Sequence, residues 1–387
     1  MLRDYQQRAI DMLYDWFRAN DSGHPCLEMP TGSGKSWVVA ELCRDAVQSW
    51  PGTRILMLTH QKELISQNAE KMLSIWPNAP MGIYSASLGK REAGYAITFA
   101  GIQSVRQKAS LLGHRDLVLI DECHLMSNEN MGWYRRLIDA LIAINPALRV
   151  IGLTATPYRL GQGLLTEGDN ALFSEIVAPT SIAELVALGY LAPLRSKVTD
   201  AAIDTAGVKK RGGEYVEADL ARAADHDDLN AAIASEIVKR AEDRRSWIVF
   251  CAGVAHAEHM RDALRAHGVV AECVTGATPK RERERLLSDY KAGRIRALTN
   301  ANVLTTGFDA PDTDLVAMLR PTMSPALYMQ MAGRGLRPKC HTDHCLVLDF
   351  AGVVSMHGPI TAIEPPRRGV KTGDDAPSKL CPECHGS

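Results

Sequence analysis

The chain has 387 residues, and its 44 Lys and Arg residues nearly balance its 45 Asp and Glu residues, which gives a formal net charge of −1. This balance excludes a uniformly basic nucleic-acid binder, so phosphate contacts must come from a local patch or from backbone amides. The first residues are charged and no apolar run is long enough to cross a bilayer, which predicts a cytoplasmic protein with no membrane partner.

Short apolar runs alternate with helical patterns in two stretches of the chain, and this alternation predicts two parallel α/β sheets. In the first stretch the predicted strands are 26–29, 54–59, 96–100, 117–120 and 150–153, and the predicted helices include 37–49 and 62–75. In the second stretch the predicted strands are 246–251, 269–274, 297–299, 315–319 and 345–349, and the predicted helices are 254–267, 280–291 and 324–331. We therefore expect a first lobe over residues 1–158, a connector over 159–235, a second lobe over 236–355 and a flexible tail over 356–387.

A glycine-rich segment follows the first predicted strand and opens a predicted helix, which is the context of a phosphate-binding loop. Its backbone amides and the helix N-terminus would bind phosphate oxygens, Lys35 would neutralise the β- and γ-phosphates of ATP, and the Ser36 hydroxyl would ligate Mg²⁺. Met29 stands where the strict motif has glycine, so a simple glycine-rich turn is the alternative. The residues expected to contact the nucleotide here are Thr31, Gly32, Ser33, Gly34, Lys35 and Ser36.

The apolar run at 117–120 is followed directly by two carboxylates, Asp121 and Glu122. A buried parallel strand delivers its last side chains to the carboxyl edge of the sheet, where ligands bind in α/β proteins. We expect Asp121 to hold Mg²⁺, mainly through water, and Glu122 to polarise the water that attacks the phosphate. His124 lies two residues further on and is expected to couple this site to the neighbouring lobe.

The phosphate loop, Asp121-Glu-Cys-His124, Thr154-Ala-Thr156 and Gln330-Met-Ala-Gly-Arg-Gly-Leu-Arg337 occur in the order found in DEAD/DEAH-type superfamily-two helicases, and the chain resembles this family. The resemblance covers about residues 1–355 and implies two tandem RecA-like parallel-sheet lobes with the ATP site in the cleft between them. The segments 305–311 and 319–322 resemble, more narrowly, those of bacterial RadD-like DNA repair helicases. Such relatives continue into Cys-rich segments, which suggests that this chain is a truncated form.

The resemblance assigns further roles at the nucleotide site. It implies that Gln6 reads the adenine edge with Arg3 stacking on the base, and that Thr154 and Thr156 act with His124 in coupling. It also places Gly307 and Asp309 near the ribose, Arg334 beside the phosphates, and Arg337 as the arginine finger. If residues 330–337 form a helix, Gln330, Arg334 and Arg337 lie on one face, from which a guanidinium can stabilise the charge of phosphoryl transfer.

The nucleic-acid contacts rest on resemblance more than on any basic run, and DNA is favoured over RNA. Hydroxyl residues and backbone amides at strand ends suit contacts to phosphates. The residues expected to contact nucleic acid are Thr59, His60 and Gln103 in the first lobe and Cys251, Thr275 and Thr299 in the second. The run at 280–285 reads as a solvated helix with internal ion pairs, and the basic run at 209–211 is left open.

Cys381 and Cys384 have the spacing of half a zinc site, but zinc needs four ligands and no second Cys-x-x-Cys pair follows, so we do not expect a complete zinc site. The sequence as a whole predicts an ATP- and Mg²⁺-dependent DNA helicase or translocase that works in repair or replication. Two alternatives stay open, namely the motor subunit of a restriction-type complex and a nucleotide-gated DNA clamp without unwinding. No protein partner is indicated.

Overall fold

The computed structural model describes residues 2–60, 62–126, 128–159, 163–168, 171–305, 310 and 312–363. The chain divides into two compact units, Met1–Ser181 and Ile182–Ser387. Across the described ranges, no helix combines the length and the apolar character needed to cross a bilayer.

The first unit is built on one large, mostly parallel sheet with helices packed against it. Its strands are β1 (Pro25–Glu28), β2 (Ile55–Thr59), β3 (Met81–Ser85), β4 (Lys90–Arg91), β5 (Ile97–Gly101), β6 (Leu117–Asp121), β7 (Arg149–Thr154), β8 (Tyr158–Arg159), β9 (Gly163–Leu164) and β10 (Glu175–Val177). Its helices are α1 (Asp4–Ala19), α2 (Lys35–Ser49), α3 (Lys62–Ile75), α4 (Ile102–Val105), α5 (Ala109–Leu112) and α6 (Asn128–Ile144).

The order of strands in this sheet is β10-β1-β7-β6-β2-β5-β3-β4, while β8 and β9 form a separate antiparallel pair. All neighbours in the large sheet are parallel except β3 and β4. The central strands are buried along their length because helices cover both faces, which explains their unbroken apolar runs. Strand β7 lies between β1 and β6, so its last residue, Thr154, stands between the phosphate loop and Asp121.

The second unit has its own parallel sheet. Its strands are β11 (Leu194–Lys197), β12 (Lys210–Arg211), β13 (Glu214–Tyr215), β14 (Trp247–Cys251), β15 (Ala271–Val274), β16 (Ala297–Asn300), β17 (Leu315–Leu319) and β18 (Cys345–Asp349). Its helices are α7 (Ile182–Ala187), α8 (Glu217–Ala224), α9 (Asp227–Arg240), α10 (Val254–Ala266), α11 (Lys280–Lys291), α12 (Pro325–Ala332) and α13 (Val353–His357). The sheet order is β11-β18-β17-β14-β16-β15, and β12 and β13 form a separate antiparallel hairpin.

The strands predicted from apolar runs agree with the structure to within two residues at each end. The second compact unit begins at Ile182, which lies within the segment predicted as a connector over 159–235. Strand β11 pairs with β18 at the edge of the second sheet, and its sequence Leu-Arg-Ser-Lys is too polar to be recognised as a strand. Helices α1, α6, α8 and α9 were not predicted either.

The tail predicted from residue 356 begins as ordered chain. Helix α13 ends at His357, and a 3₁₀ turn over Ile360–Ala362 follows with Ile360 buried. Residues 364–387, which include Cys381 and Cys384, lie outside the described residues, so the expectation about zinc stays a prediction.

Gly152, in the middle of β7, offers a test of how tightly the first sheet is packed. A Cβ atom there would lie 2.6 Å from the ring of buried Phe173 and 3.0 Å from Cys123 Sγ. We expect Gly152→Ala to lower the free energy of unfolding of the first unit by about 1–3 kcal/mol through overpacking. Gly132→Ala, in helix α6 with no atom within 4 Å, should instead raise it by about 0.5–1 kcal/mol.

The readout is chemical denaturation followed by tryptophan fluorescence, because five of the six Trp residues lie in the first unit and report mainly on it. If both substitutions shift the transition in the same direction, the packing around Gly152 is not as the structure shows.

Candidate active site

The phosphate loop connects β1 to α2 through two glycines in left-handed backbone conformations. Gly32 has φ 84° and Gly34 has φ 80°, values that side chains with a Cβ rarely adopt. Ser33 Oγ donates to Pro30 O at 2.7 Å and closes the loop, and Gly34 is the N-cap of α2. The loop therefore ends at a helix N-terminus, a place that suits anion binding.

Lys35 forms an ion pair with Glu122 at the start of α2. The Lys35 Nζ atom lies 3.2 Å from Glu122 Oε1, and the two side chains are only 15% and 24% exposed. Burial disfavours the charged amine, but the carboxylates of Glu122 and Asp121 outweigh burial and hold the pKa of Lys35 above its ordinary value. Lys35 is therefore a fixed positive charge at the mouth of the phosphate loop.

Asp121 is the last residue of β6, and both of its carboxylate oxygens accept hydrogen bonds. Asn68 Nδ2 donates to Oδ2 at 2.7 Å, and the backbone N–H of Glu122 donates to Oδ1 at 3.0 Å. Burial raises the pKa of Asp121, and the nearby Lys35 ammonium opposes that rise. Lys35, Ser36, Asn68 and Asp121 line one pocket, so an oxygen-preferring cation bound there would meet a hydroxyl and an oriented carboxylate.

Glu122 has φ 47°, a left-handed conformation that is strained for a residue with a side chain. The strain lies at the point where β6 ends and a short 3₁₀ turn, Cys123–Leu125, begins. With this backbone, the carboxylate of Glu122 contacts both Lys35 and His124. Such outliers cluster at functional sites, where the surrounding structure maintains them.

A chain of polar contacts leads away from Glu122 through His124 to the end of β7. The Thr154 hydroxyl donates to Thr156 O at 3.1 Å and accepts from Thr156 N at 2.9 Å. His124 Nδ1 lies 2.8 Å from the same hydroxyl, within hydrogen-bond distance. The same Nδ1 lies 3.4 Å from Glu122 Oε2. The three residues predicted to couple are therefore contiguous, although coupling itself stays a prediction.

The side chain of Gln6, in helix α1, is buried against the phosphate loop. Its Nε2 donates to Ser33 O at 2.9 Å, and its Oε1 accepts from the backbone N–H of Arg3 at 3.0 Å. Sequence reasoning missed Tyr5, whose buried hydroxyl donates to the same Ser33 carbonyl. A Cβ at position 34 would lie 2.5 Å from Gln6 Nε2, so the second loop glycine permits this approach. The roles of Gln6 and Arg3 towards adenine stay predictions.

Asn68 was also missed by sequence reasoning. It lies inside a helix that the sequence predicted well, but nothing in the sequence shows that this amide reaches Asp121, 53 residues further on.

In the second unit, the segment predicted to carry the arginine finger is not one continuous helix. Helix α12 ends at Ala332, and a 3₁₀ turn over Gly333–Gly335 follows. The turn is closely packed, because a Cβ on Gly335 would lie 2.5 Å from Cys345 Sγ. Gln330 and Arg337 therefore do not share a helical face in the simple i, i+7 sense.

Arg334 and Arg337 differ in their surroundings. An Nη atom of Arg334 donates to Thr305 O at 2.6 Å. Burial lowers the pKa of Arg337, but a guanidinium remains protonated at neutral pH because its ordinary pKa is so high. Gly307 and Asp309 lie outside the described residues, and their proximity to the ribose stays a prediction.

The residues predicted to contact nucleic acid are largely buried strand ends. Thr59, Cys251 and Thr299 are at most 1% exposed, and Thr299 Oγ1 donates to Ala257 O at 2.7 Å. Thr275 is 6% exposed. Gln103 Nε2 donates to His60 O at 3.0 Å, which ties two of the first-unit candidates together. Buried side chains leave backbone groups as the more accessible contacts, and binding at these positions stays a prediction.

Two family models match the chain. Residues 1–159 match the family described as the res subunit of type III restriction enzymes, and residues 229–339 match the helicase conserved C-terminal domain. Both matched regions are therefore similar to superfamily-two helicases, and the two RecA-like parallel sheets agree with that fold. They do not establish the finer resemblance to RadD-like proteins.

Among known proteins, the chain is 26% identical over 388 residues to the ATP-dependent helicase IRC3 of Saccharomyces cerevisiae, spanning 97% of this chain but 54% of that protein. It is 25% identical over 378 residues to the DNA 3′-5′ translocase XPB2 of Sulfurisphaera tokodaii, spanning 87% of this chain and 79% of that one. Its fold is similar to that of a type I restriction enzyme HsdR fragment from Vibrio vulnificus, with TM-score 0.66, 24% identity, and coverage of 91% of this chain and 64% of that chain.

The position of Gln6 generates a prediction about nucleotide selectivity. A carboxamide can pair with the donor and acceptor of adenine together but not with the edge of guanine. We expect ATP and dATP to be hydrolysed well and GTP poorly, and Gln6→Ala to weaken ATP binding about 10-fold, the scale of one lost hydrogen bond.

Gln7→Ala is the matched control, because Gln7 is exposed and its side chain donates to Asp11 on the same helix. Equilibrium binding of a fluorescent ATP analogue measures the affinity. Equal hydrolysis of GTP and ATP by the unsubstituted chain would eliminate the adenine-reading role.

Proposed function

We propose that this chain is an ATP-hydrolysing nucleic-acid motor, a helicase or translocase that acts on DNA. The observation that carries the proposal is the cluster of Lys35, Asp121 and Glu122 at the carboxyl edge of the first sheet, beside a loop shaped for phosphates. A motor needs a site where binding and hydrolysis of ATP alter contacts among protein groups, and this cluster has groups suited to both.

The first step is exchange of partners at Lys35. The ammonium pairs with Glu122 within the protein, so phosphate oxygens that attract Lys35 also release the Glu122 carboxylate. A released carboxylate is free to accept the proton of a water molecule that attacks the γ-phosphate. The strained backbone of Glu122 holds this carboxylate close to the loop.

Mg²⁺ fits the oxygen groups present. The Ser36 hydroxyl and the Asp121 carboxylate would hold the ion together with phosphate oxygens and water, which is the ligand set that Mg²⁺ prefers. When bound, the ion neutralises the charge that develops on the transferred phosphoryl group. Asn68 and the Glu122 amide keep the carboxylate of Asp121 in one orientation for this purpose.

The chain of polar contacts from Glu122 provides a route for coupling. His124 contacts both Glu122 and Thr154, and Thr154 in turn binds both backbone groups of Thr156. Thr154 is the last residue of β7, and Thr156 lies in the buried segment that follows it. We infer that release of Glu122 loosens the His124 contact and so alters the segment after β7.

Hydrolysis is proposed to need Arg337 from the second unit as well. A guanidinium that reaches the γ-phosphate stabilises the transition state and makes turnover depend on both units. Support comes from the helicase C-terminal family model, whose match over 229–339 includes Arg334 and Arg337.

DNA is proposed as the track because one similar protein, whose match covers 87% of this chain, is named a DNA translocase. The RNA helicase Dbp5 matches only 23% of the chain by sequence. A second candidate function, the motor subunit of a restriction-type complex, is favoured by the description of the first family model.

The test is a paired assay on the purified chain. ATPase rates are measured with single-stranded, duplex and branched DNA and with RNA, and strand displacement is measured on the same substrates. We expect DNA to stimulate hydrolysis more than RNA does. Hydrolysis without displacement or movement would indicate a nucleotide-gated clamp, and a gain of DNA cleavage only on adding a nuclease partner would indicate the restriction-type motor. No stimulation by any nucleic acid would refute the proposal.

Arg337→Ala tests the dependence on both units. We expect ATP binding to persist while turnover falls by about 10³-fold or more, the scale of an arginine finger, and stimulation by DNA to be lost. Arg281→Ala, which removes an exposed charge from α11 in the same unit, is the control and should behave as the unsubstituted chain. If Arg337→Ala keeps near-normal turnover that DNA still stimulates, then either Arg334 is the arginine finger or the active site is complete within one unit.

A further inference from the structure

The second unit presents a short hairpin, β12–β13, whose exposed tip is basic. Its two-residue turn is Gly212-Gly213, with φ 62° and 84°, the combination that a tight type I′ hairpin requires. Lys209, Lys210 and Arg211 lead into the turn, and all three are exposed. The sequence alone left this run undecided between a solvated loop and a nucleic-acid contact.

The charges at this tip have no acidic partner in the part of the chain that the structure describes. Among the described residues, no carboxylate forms an ion pair with Lys209, Lys210 or Arg211. Lys210 Nζ forms a cation–π contact with the ring of Tyr215 and lies 5.3 Å from the ring centroid. Helix α11 differs, since its exposed cations Lys280 and Arg285 pair with acids one turn away.

The base of the hairpin is fixed to the sheet. Tyr215 is buried in the hydrophobic core of the second unit. Both oxygens of the Glu214 carboxylate accept hydrogen bonds from the segment after β17, one from Thr322 Oγ1 at 2.6 Å and one from the backbone N–H of Met323 at 3.0 Å. The basic tip is therefore held in place, unlike the cations of a mobile loop.

The anchor leads directly to helix α12. Thr322 Oγ1 accepts from the backbone N–H of Ser324, and Ser324 is the N-cap of α12, where its hydroxyl accepts from Leu327 N at 3.2 Å. The turn that bears Arg334 follows this helix. The hairpin is thus linked to helix α12, which directly precedes the turn that bears Arg334.

We propose that the β12–β13 hairpin binds the phosphate backbone of the nucleic-acid track and transmits that contact, through Glu214, to helix α12. The near-neutral net charge of the chain requires a local cationic patch for such binding, and this tip supplies three positive charges that form no ion pair with any described residue. Contacts of this kind position a strand without reading its sequence. The proposal rests on the proposed function and adds the element of the second unit that holds the track.

The experiment compares binding of a fluorescent single-stranded oligothymidine at several salt concentrations. The triple variant Lys209→Ala, Lys210→Ala, Arg211→Ala should bind about 10- to 100-fold more weakly at about 0.1 M salt, and the slope of log affinity against log salt should decrease by about 2 units. ATPase activity without DNA should be unchanged, which also shows that the variant is folded.

The matched control removes three exposed charges from helix α11 of the same unit, in the variant Lys280→Ala, Arg281→Ala, Arg285→Ala. It should leave the affinity and the salt slope as they are. An equal loss in both variants, or an unchanged slope in the hairpin variant, would overturn the proposal. If the unsubstituted chain neither binds DNA nor is stimulated by it, the proposed function itself fails, which is a different result.

Glu214→Gln separates binding from transmission. The carboxylate accepts through two different oxygens, and in the amide one of these positions is an NH2 donor, which cannot accept from Thr322 Oγ1 or from Met323 N. We expect DNA affinity within about 3-fold of normal, with stimulation of the ATPase at least halved. Glu258→Gln, an exposed acid on α10, is the control. Full stimulation in Glu214→Gln would overturn the transmission step.

Discussion

The ion pair between Lys35 and Glu122 is the interaction on which the account of this site depends. A largely buried charge is stable only when it is paired, and removal of one partner leaves the other uncompensated. The 3.2 Å contact satisfies both groups within the protein, so a ligand that takes over Lys35 necessarily changes the environment of Glu122. Binding of an anion and release of a general base are in this way a single event.

Several features of the first unit serve to place this pair. The strand order β1-β7-β6 sets Thr154 between the loop and the carboxylates, and the left-handed turn at Glu122 brings its carboxylate to Lys35. Helix α1 secures the loop from another side, because Tyr5 and Gln6 both donate to the carbonyl of Ser33. The phosphate loop is thus linked to the N-terminal helix and to the end of β7 as well as to β6.

The sequence predicted the parts of this site that follow from local pattern. A glycine-rich turn before a helix and two acids after an apolar run identify ligand-binding strand ends, since parallel strands present their carboxyl ends at one edge. It could not predict contacts between distant positions, such as Tyr5 with Ser33 or Asn68 with Asp121, because nothing local encodes them. Edge strand β11 was missed for a related reason, since sheet pairing determines it, and the 3₁₀ turn over Gly333–Gly335 stands where a helix over 330–337 was considered.

The most direct test of the central claim is to measure ATP affinity and single-turnover hydrolysis in Glu122→Gln. The amide keeps the shape of the side chain but neither neutralises Lys35 nor accepts a proton. The account predicts ATP binding at least as tight as normal together with hydrolysis slower by about 10²- to 10⁴-fold, the usual scale for loss of a general base. Glu70→Gln, an exposed acid on α3, is the control. Weakened ATP binding with normal hydrolysis in Glu122→Gln would contradict the claim, because Glu122 would then hold the site together without acting on water.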